Sequence, residues 1–299
     1  MVNMNNYSIE ITQPYDLHQT LYSGQAFRWE YIEDTESDQS WHQGFIKNRR
    51  LRIRQSETHI HIKTTEKYTE TEISDVISYL RLDDNMETIY AKISNDKYII
   101  SAIKKYQGLH ILRQDPWETL ITFICSSNNN IPRIRQLVNS MSLNFGQKGK
   151  DEFGVFNLFP SSFELYDAGE QSLRDIGLGF RAKYVSAAAE LAVQKKINVN
   201  ELINKSYQYS LGELIKIPGV GDKVANCILL FSLDKLEAFP VDVWIKRVLK
   251  EVYINKKNKI PDTKIRSWAQ EKFGPYSGYV NQYLFHNRRL FEKSIMKNL

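Results

Sequence analysis

A lysine and an aspartate 19 positions apart are the residues of this sequence best suited to chemistry. Lys223 follows the turn Pro218-Gly219-Val220-Gly221, and Asp242 lies in Phe239-Pro240-Val241-Asp242-Val243. The first pattern predicts an apolar helix end, a tight turn and a new helix whose first turn holds Lys223. The helix dipole and desolvation both disfavour an ammonium group there. An amine held partly uncharged can attack a sugar carbon and form a Schiff base.

Asp242 directly precedes a helix predicted to begin at Val243, and aspartate is among the preferred N-cap residues. The helix and short loop after Lys223 would bring the two side chains together, so that the carboxylate stabilises a cationic sugar transition state and assists proton transfer. Two plainer interpretations stay open. Lys223 could only contact a phosphate at a protein–DNA surface, and Asp242 could only cap its helix. Capping and catalysis are compatible, because a capping carboxylate is held rigidly.

The turn before Lys223 is typical of a helix–hairpin–helix motif, which we place at about 211–234. Glycines let another backbone approach closely, and the unpaired amides at the start of the second helix suit a phosphate. An ordinary helical corner is the alternative. Cys227 follows Lys223 by one helical turn on the same face, so the two could line one pocket. Backbone carbonyls of the hairpin could hold a monovalent cation: Ile215, Ile217 and Val220.

Periodicity indicates the elements that must position these residues. Apolar and polar residues alternate in three short runs, which predicts antiparallel strands at 41–46, 51–54 and 59–63. Apolar residues recur at helical spacing from Ile73 onward, and the chain is mostly helical to its end. We therefore predict an α+β fold with two domains. Residues 1–112 form an antiparallel sheet domain with flanking helices, and residues 113–299 form a larger all-helical domain whose last helix packs back on the first domain.

Composition narrows the classes of protein. With 42% hydrophobic and 25% charged residues, the 299-residue chain should be globular. The net charge of +5 is compatible with a polyanionic partner, but it favours one only if the positive side chains are clustered on the surface. Two cysteines, Cys125 and Cys227, are too few for a zinc ribbon, a four-cysteine iron–sulfur cluster or a disulfide framework. His59 and His61 have no evident third ligand, so no metal site is predicted.

No apolar run approaches the roughly 18 residues that a membrane helix needs. The first six residues, 1–6, lack the basic start and apolar stretch of a signal peptide. We therefore expect an intracellular protein that is neither secreted nor bound to a membrane.

The segments around Lys223 and Asp242 resemble the catalytic pair of the helix–hairpin–helix (HhH-GPD) DNA glycosylases. Within that superfamily, the chain resembles the 8-oxoguanine DNA glycosylase/AP lyases. Three further segments extend the resemblance over most of the chain: 23–29, 123–131 and 178–184. The resemblance implies a bifunctional base excision repair enzyme that excises 8-oxoguanine from duplex DNA through a lysine Schiff base and cuts the strand by β-elimination.

The same resemblance implies a monomer whose partner is double-stranded DNA containing 8-oxoguanine, with no cofactor beyond the monovalent cation. In a prokaryote it would be cytoplasmic or associated with the nucleoid. Two rival functions remain. One is a related glycosylase for alkylated purines or oxidised pyrimidines. The other is a non-catalytic DNA-binding module that uses the hairpin as a phosphate clamp.

The resemblance also assigns residues to the damaged base. The carbonyl of Gly24 would accept the N7–H that distinguishes 8-oxoguanine from guanine. Phe285 would stack on one face of the base and Cys227 on the other. The pairing edge falls on Asn281, where the family usually has glutamine, or on the adjacent Gln282. Just before the catalytic aspartate, Pro240 belongs to the same base pocket.

Residues assigned to the DNA duplex fall in three places. The counterparts of Asn128, Arg133 and Arg181 address the widowed cytosine and the gap left by the base. Phe180 would wedge into the stack, where the family often has tyrosine. A polar loop at 128–130 and a core aromatic at 180 are the alternatives. The remaining DNA contacts are assigned to the hairpin and to a position where some members have histidine: Gly219, Val220, Gly221 and Trp244.

Overall fold

The computed structural model describes residues 4–33, 40–94, 96–253 and 260–297, with side chains described as far as residue 291. A five-stranded antiparallel sheet is followed by a helical region, which confirms the predicted α+β class. Its strand order is β1-β5-β4-β3-β2. The strands are β1 (Asn5–Glu10), β2 (Glu30–Ile32), β3 (Trp41–Ile46), β4 (Arg49–Gln55) and β5 (His59–Thr64).

The three strands predicted from alternation, β3, β4 and β5, are confirmed as the centre of this sheet. Ile53 of β4 pairs with Ile62 of β5, and both side chains are buried. The two edge strands, β1 and β2, were not predicted. Strand β2 has only three residues, too few to show an alternation. Strand β1 does alternate, with Tyr7 and Ile9 packed against the core and the residue after each of them exposed, so its sequence held a usable signal.

The helices follow the predicted spacing, and the helix expected from Ile73 is α2. Their bounds are α1 (Leu17–Tyr22), α2 (Glu70–Leu80), α3 (Met86–Ile93), α4 (Lys97–Lys105), α5 (Pro116–Cys125), α6 (Ile131–Phe145), α7 (Ser162–Leu173), α8 (Ala182–Val193), α9 (Tyr207–Ile215), α10 (Asp222–Ser232), α11 (Val243–Val252), α12 (Asp262–Phe273) and α13 (Ser277–Lys297). No helix among the described residues is both long and apolar enough to cross a lipid bilayer.

The second region is not all-helical, which corrects that part of the prediction. Strands β6 (Lys148–Asp151) and β7 (Gly154–Asn157) form a small antiparallel hairpin between α6 and α7. The hairpin is too short and polar to show a clear alternation. Arg50 of β4 fixes it to the sheet by donating to the Asp151 carboxylate and to the Gly154 carbonyl, each at 3.0 Å.

Buried apolar residues form two clusters. The smaller one lies between the sheet, α1 and α2. The larger one unites the helices from α5 onward and also includes α3, α4 and the segment through Ile111. Helices α3 and α4 therefore pack with the helical region, although they precede the predicted domain boundary at 112/113. That boundary remains a prediction.

Helix α13 returns to the start of the chain. Its Gln282 side chain donates to the Ser23 carbonyl at 3.5 Å, and its Arg289 side chain donates to the Tyr22 carbonyl at 2.8 Å. Tyr283 donates to the Leu109 carbonyl at 3.1 Å. These contacts place α13 beside the loop after α1 and bring residues from both halves of the sequence to one place.

Candidate active site

A cavity of about 560 Å³ opens where the α5–α6 loop, α10, the loop before α11 and α13 meet. Its volume is in the range of small-molecule sites. Lys223 and Asp242 both line it, so the structure brings the proposed catalytic pair together. Every residue assigned to the damaged base lines it as well: Gly24, Cys227, Pro240, Asn281, Gln282 and Phe285.

Lys223 is the second residue of α10, in the first turn as predicted. Its Nζ donates to Ser126 Oγ at 2.8 Å and lies 5.5 Å from the centroid of the Phe123 ring. The Ser126 hydroxyl donates to the Phe123 carbonyl at 2.7 Å. Because that hydroxyl has one hydrogen, it meets the lysine as an acceptor. The end of α5 thus holds the amine in place at the cavity wall.

Asp242 is the N-cap of α11, and its Oδ1 accepts the Ile245 N–H at 2.8 Å. Burial raises the pKa of this carboxyl, while that hydrogen bond and the positive charge of Lys223 oppose the rise. The capping interpretation is therefore confirmed, and the same carboxylate is close enough to Lys223 for the two charges to interact. One rigid carboxylate can thus cap α11 and also take part in the proposed chemistry.

Cys227 lies one turn after Lys223 on α10 and is 4% exposed. Burial raises the pKa of its thiol to about 11, although the charge of Lys223 partly opposes this. The thiol therefore stays protonated near neutral pH. A protonated, buried thiol is a polarisable apolar surface, which suits a wall against a flat base rather than a nucleophile.

Gly24 has φ of +91°, a backbone conformation that favours glycine. A Cβ at this position would lie 2.8 Å from Ile131 Cδ1 and 3.2 Å from Phe285 Cε1. The glycine therefore lies against the ring assigned to stack on the base. Its close neighbours leave no room for a side chain without moving the cavity wall.

We expect Gly24→Ala to lower 8-oxoguanine excision on the order of 10-fold or more, because the strained backbone and the added methyl displace the cavity wall. Cleavage at a preformed abasic site needs no base in the cavity and should be nearly unchanged. Single-turnover assays on the two duplexes check this. Gly212→Ala, in a helix with open space at the Cβ position, is the matched control. Equal losses on both duplexes would contradict the assignment.

Asn281 and Gln282 are both buried in α13. The Asn281 side chain donates to the Pro240 carbonyl at 2.9 Å, which links α13 to the loop that carries Asp242. Gln282 donates to the Ser23 carbonyl, next to Gly24. Both line the cavity, so the choice between them for the pairing edge of the base remains a prediction.

Two loops at the mouth carry most residues assigned to the duplex. Asn128 lines the cavity and has φ of +49°. Arg181 donates to the Ser127 carbonyl from Nε and Nη2 at 2.9 and 2.7 Å, and to the Asn128 carbonyl at 2.8 Å. Arg133 donates to the Gly177 carbonyl at 3.0 Å. Arg181 thus joins the α5–α6 loop to the 177–181 turn, and Arg133 joins the first turn of α6 to it. Neither arginine lines the cavity.

Phe180 lies at the tip of the 177–181 turn and is 46% exposed, so the interpretation as a core aromatic is wrong. The Arg181 guanidinium lies 4.5 Å from its ring centroid. Trp244, in the first turn of α11, is half-buried and lines the cavity. The role of each in DNA binding remains a prediction.

The helix–hairpin–helix is formed by α9, the Pro218–Gly221 turn and α10. Gly219 has φ of +85°, and a Cβ there would lie 2.5 Å from the Tyr184 ring, so the turn packs tightly on α8. Gly221 is the exposed N-cap of α10, and no side chain of the described residues caps that helix. The amides of the first turn are thus open to an anion. None of the residues Gly219–Gly221 lines the cavity.

One of the hairpin carbonyls proposed to bind a monovalent cation already has a hydrogen-bond partner, because the Ile217 carbonyl accepts the Val220 N–H at 3.0 Å. That cation remains a prediction. Within the described ranges, no group of three histidine, cysteine or acidic side chains could hold a metal ion.

Sequence reasoning missed several polar residues of the cavity, namely Ser126, Ser127, Lys246 and Arg289. Ser126, the partner of Lys223, could not be identified because its role depends on the packing of α5 against α10. Arg289 lines the cavity one helical turn after Phe285, and that i, i+4 spacing on the last helix was a usable signal.

The sheet, the helical region and the hairpin that presents a lysine to a capping aspartate define the class of helix–hairpin–helix DNA glycosylases. Residues 8–120 match the family model of the 8-oxoguanine DNA glycosylase N-terminal domain, and residues 121–275 match that of HhH-GPD superfamily base excision DNA repair proteins. The chain belongs to the 8-oxoguanine DNA glycosylase family of N-glycosylase/DNA lyases.

Individual relatives agree with this family. The chain is 35% identical to the N-glycosylase/DNA lyase of Saccharomyces cerevisiae over 70% of its length and 65% of the yeast protein. It is 30% identical to N-glycosylase/DNA lyase OGG1 of Arabidopsis thaliana over 93% of its length and 79% of that protein. The 8-oxoguanine glycosylase/lyase of Clostridium acetobutylicum, solved with duplex DNA containing cytosine opposite 8-oxoguanine, is 29% identical with a TM-score of 0.86, covering 96% of this chain and 98% of that one.

Proposed function

We propose that this protein excises 8-oxoguanine from duplex DNA and then cuts the strand at the resulting site. The observation that carries the proposal is that Lys223 and Asp242 line the same cavity as Gly24, Cys227 and Phe285. Family membership supports base excision, and the cavity offers the groups for this particular lesion. A base inside the cavity must first leave the duplex, since the target bond is otherwise out of reach.

The reaction begins when Lys223 Nζ, having lost a proton, attacks C1′ of the flipped nucleoside. The C1′–N9 bond breaks, and its electron pair leaves with the base. Asp242 stabilises the positive charge that develops on the sugar. The base takes up a proton from water. The C1′–O4′ bond then breaks as a proton moves from Nζ to O4′, which opens the sugar ring and gives a protonated Schiff base between Nζ and C1′. Loss of a proton from C2′ then expels the 3′ phosphate by β-elimination, and water later releases the lysine.

Recognition of the base follows from the surfaces of the cavity. Phe285 and the neutral Cys227 thiol offer two apolar faces. The carbonyl of Gly24 would accept the N7–H of 8-oxoguanine, whereas guanine presents a lone pair at N7 and is repelled. Asn281 or Gln282 would contact the pairing edge. No cofactor takes part in these steps, and a monovalent cation at the hairpin would support only the binding of phosphate.

The surroundings of the cavity fit a DNA duplex. The open amides of α10 would bind a backbone phosphate, and Phe180 would enter the stack beside the gap. Asn128, Arg133 and Arg181 would face the widowed cytosine. We further propose that the enzyme acts as a monomer in an intracellular, DNA-containing compartment.

A panel of lesion duplexes tests the function. We expect strand cleavage of 8-oxoguanine duplexes, with cytosine as the opposite base that supports the fastest reaction. Each of the four opposite bases is compared, together with duplexes carrying an alkylated purine or an oxidised pyrimidine. Excision of another lesion but not of 8-oxoguanine would favour the related glycosylase. DNA binding without cleavage of any duplex would favour a binding module.

A further inference from the structure

Arg289 is a buried cation in the wall of the candidate active site. It lies one turn after Phe285 on α13 and lines the same cavity. The residue is 8% exposed. Burial lowers the pKa of its guanidinium to about 10, so the group stays charged near neutral pH. Within the described ranges no carboxylate forms an ion pair with it. Buried arginines are normally paired.

The guanidinium also has unused hydrogen-bond donors. Nη2 donates to the Tyr22 carbonyl at 2.8 Å and to His286 Nδ1 at 3.2 Å. Nε is buried and has no partner among the described residues. Nη1 lies 3.4 Å from the point that a Cβ on Gly24 would occupy, so the guanidinium is close to the residue whose carbonyl is assigned to N7–H. The buried Nε adds to the cost of placing this charge here, and an unpaired charge in the wall of an apolar cavity is costly unless a bound molecule completes it.

We propose that Arg289 contacts the extruded base and stabilises the negative charge that the base acquires as the glycosidic bond breaks. This inference rests on the proposed function. When the C1′–N9 bond breaks, its electron pair spreads from N9 over the carbonyl oxygens of the departing purine. A fixed guanidinium in a cavity with apolar walls stabilises that anion more than water would. Lys223 and Asp242 act on the sugar. Lys246, which also lines the cavity, is paired with Asp262 at 2.8 Å. Among the described residues that line the cavity, Arg289 is therefore the cation left for the departing base.

The alternative is that Arg289 has only a structural role and holds α13 against the loop after α1 through its hydrogen bond to Tyr22. The two roles differ in which step they affect. Loss of a structural contact would slow both base release and strand cleavage. Stabilisation of the leaving base affects base release alone, because cleavage at a preformed abasic site has no base to expel.

Two single-turnover measurements separate these roles. One follows release of 8-oxoguanine from a duplex with cytosine opposite, and the other follows strand cleavage of a preformed abasic duplex. We expect Arg289→Met to slow base release on the order of 100-fold, the size found for loss of one preorganised donor. Abasic cleavage should stay at the wild-type rate. Arg289→Lys should recover part of the loss, because it restores the charge but not the fork of donors.

The neighbouring Arg288 is the matched control, since it pairs with Glu251 outside the cavity lining. Arg288→Met should leave both rates unchanged. Thermal unfolding checks each variant, and if Arg289→Met lacks a native transition, Arg289→Gln provides the uncharged variant. Equal losses in both reactions, or no loss in either, would overturn the proposal. A wild-type enzyme that releases no 8-oxoguanine would instead overturn the proposed function.

Discussion

Lys223→Gln should abolish covalent trapping by borohydride and reduce strand cleavage by at least about 10³-fold. Glutamine is one atom shorter than lysine, but it keeps an N–H donor directed towards Ser126 Oγ, which accepts from Nζ at 2.8 Å in the wild type. It has no amine, so no Schiff base can form and nothing remains for borohydride to reduce. The measurement is cross-linking of the protein to an 8-oxoguanine duplex in the presence of borohydride, followed by gel electrophoresis.

Lys196→Gln provides the control for this experiment, because Lys196 is exposed after α8 and does not line the cavity. It should cross-link as the wild type does. Retained affinity of Lys223→Gln for the duplex would show that the defect lies in the chemical step. If this variant still cross-links and still cuts, another amine is the nucleophile and the central assignment is wrong.

Asp242→Asn should slow base excision by about 10²–10⁴-fold while leaving the fold nearly as stable as the wild type. Asparagine caps helices about as well as aspartate, so its side-chain oxygen can still accept the Ile245 N–H. The negative charge beside Lys223 is lost, and with it the stabilisation of the sugar cation. Single-turnover base release and thermal unfolding, measured on the same preparation, test the two halves of this expectation.

Asp242→Ala is the companion variant, because it removes both the charge and the cap. It should lose about 1 kcal/mol of stability in addition to the activity. If Asp242→Asn instead retains wild-type excision, the carboxylate is only a helix cap.

The pH dependence follows from the buried position of Asp242. Burial raises the pKa of this carboxyl above its usual value of 3.8. The ionised form is the active one in our mechanism, so base excision should fall as pH is lowered through the raised pKa. The acidic limb of the rate profile should therefore lie above the range of an ordinary aspartate. In Asp242→Asn the part of the pH dependence that is due to this carboxyl should disappear, so the acidic limb should become less steep.

The shared location of Lys223 and Asp242 could be predicted from sequence because each residue lies in a short local pattern. The Pro-Gly-Val-Gly turn determines where α10 begins, and the Pro-Val-Asp-Val run determines where α11 begins. The environment of Lys223 was harder to predict. Ser126 comes close to it because α5 packs on α10, where the rings of Phe123 and Phe231 stack with centroids 5.4 Å apart. Contacts between distant helices leave no periodic trace in a single sequence.

The errors at the level of the fold have different causes. The outer strand β2 is too short to show an alternation, whereas the alternation of β1 is present in its sequence and was overlooked. The β6–β7 hairpin is held by Arg50 of a distant strand rather than by its own apolar residues. Arg289 was overlooked because a charged residue near a chain end normally faces solvent, whereas α13 folds back against Tyr22.

The return of α13 to the loop after α1 has a consequence for the newly made chain. Gln282 and Ser23 are 259 positions apart, so this wall of the cavity joins an early and a late part of the described sequence. Closing so long a loop slows folding, because its entropy must be lost before the contact forms. A growing chain that already contains Lys223 and Asp242 therefore still lacks one wall of the cavity until α13 has been synthesised and has folded back.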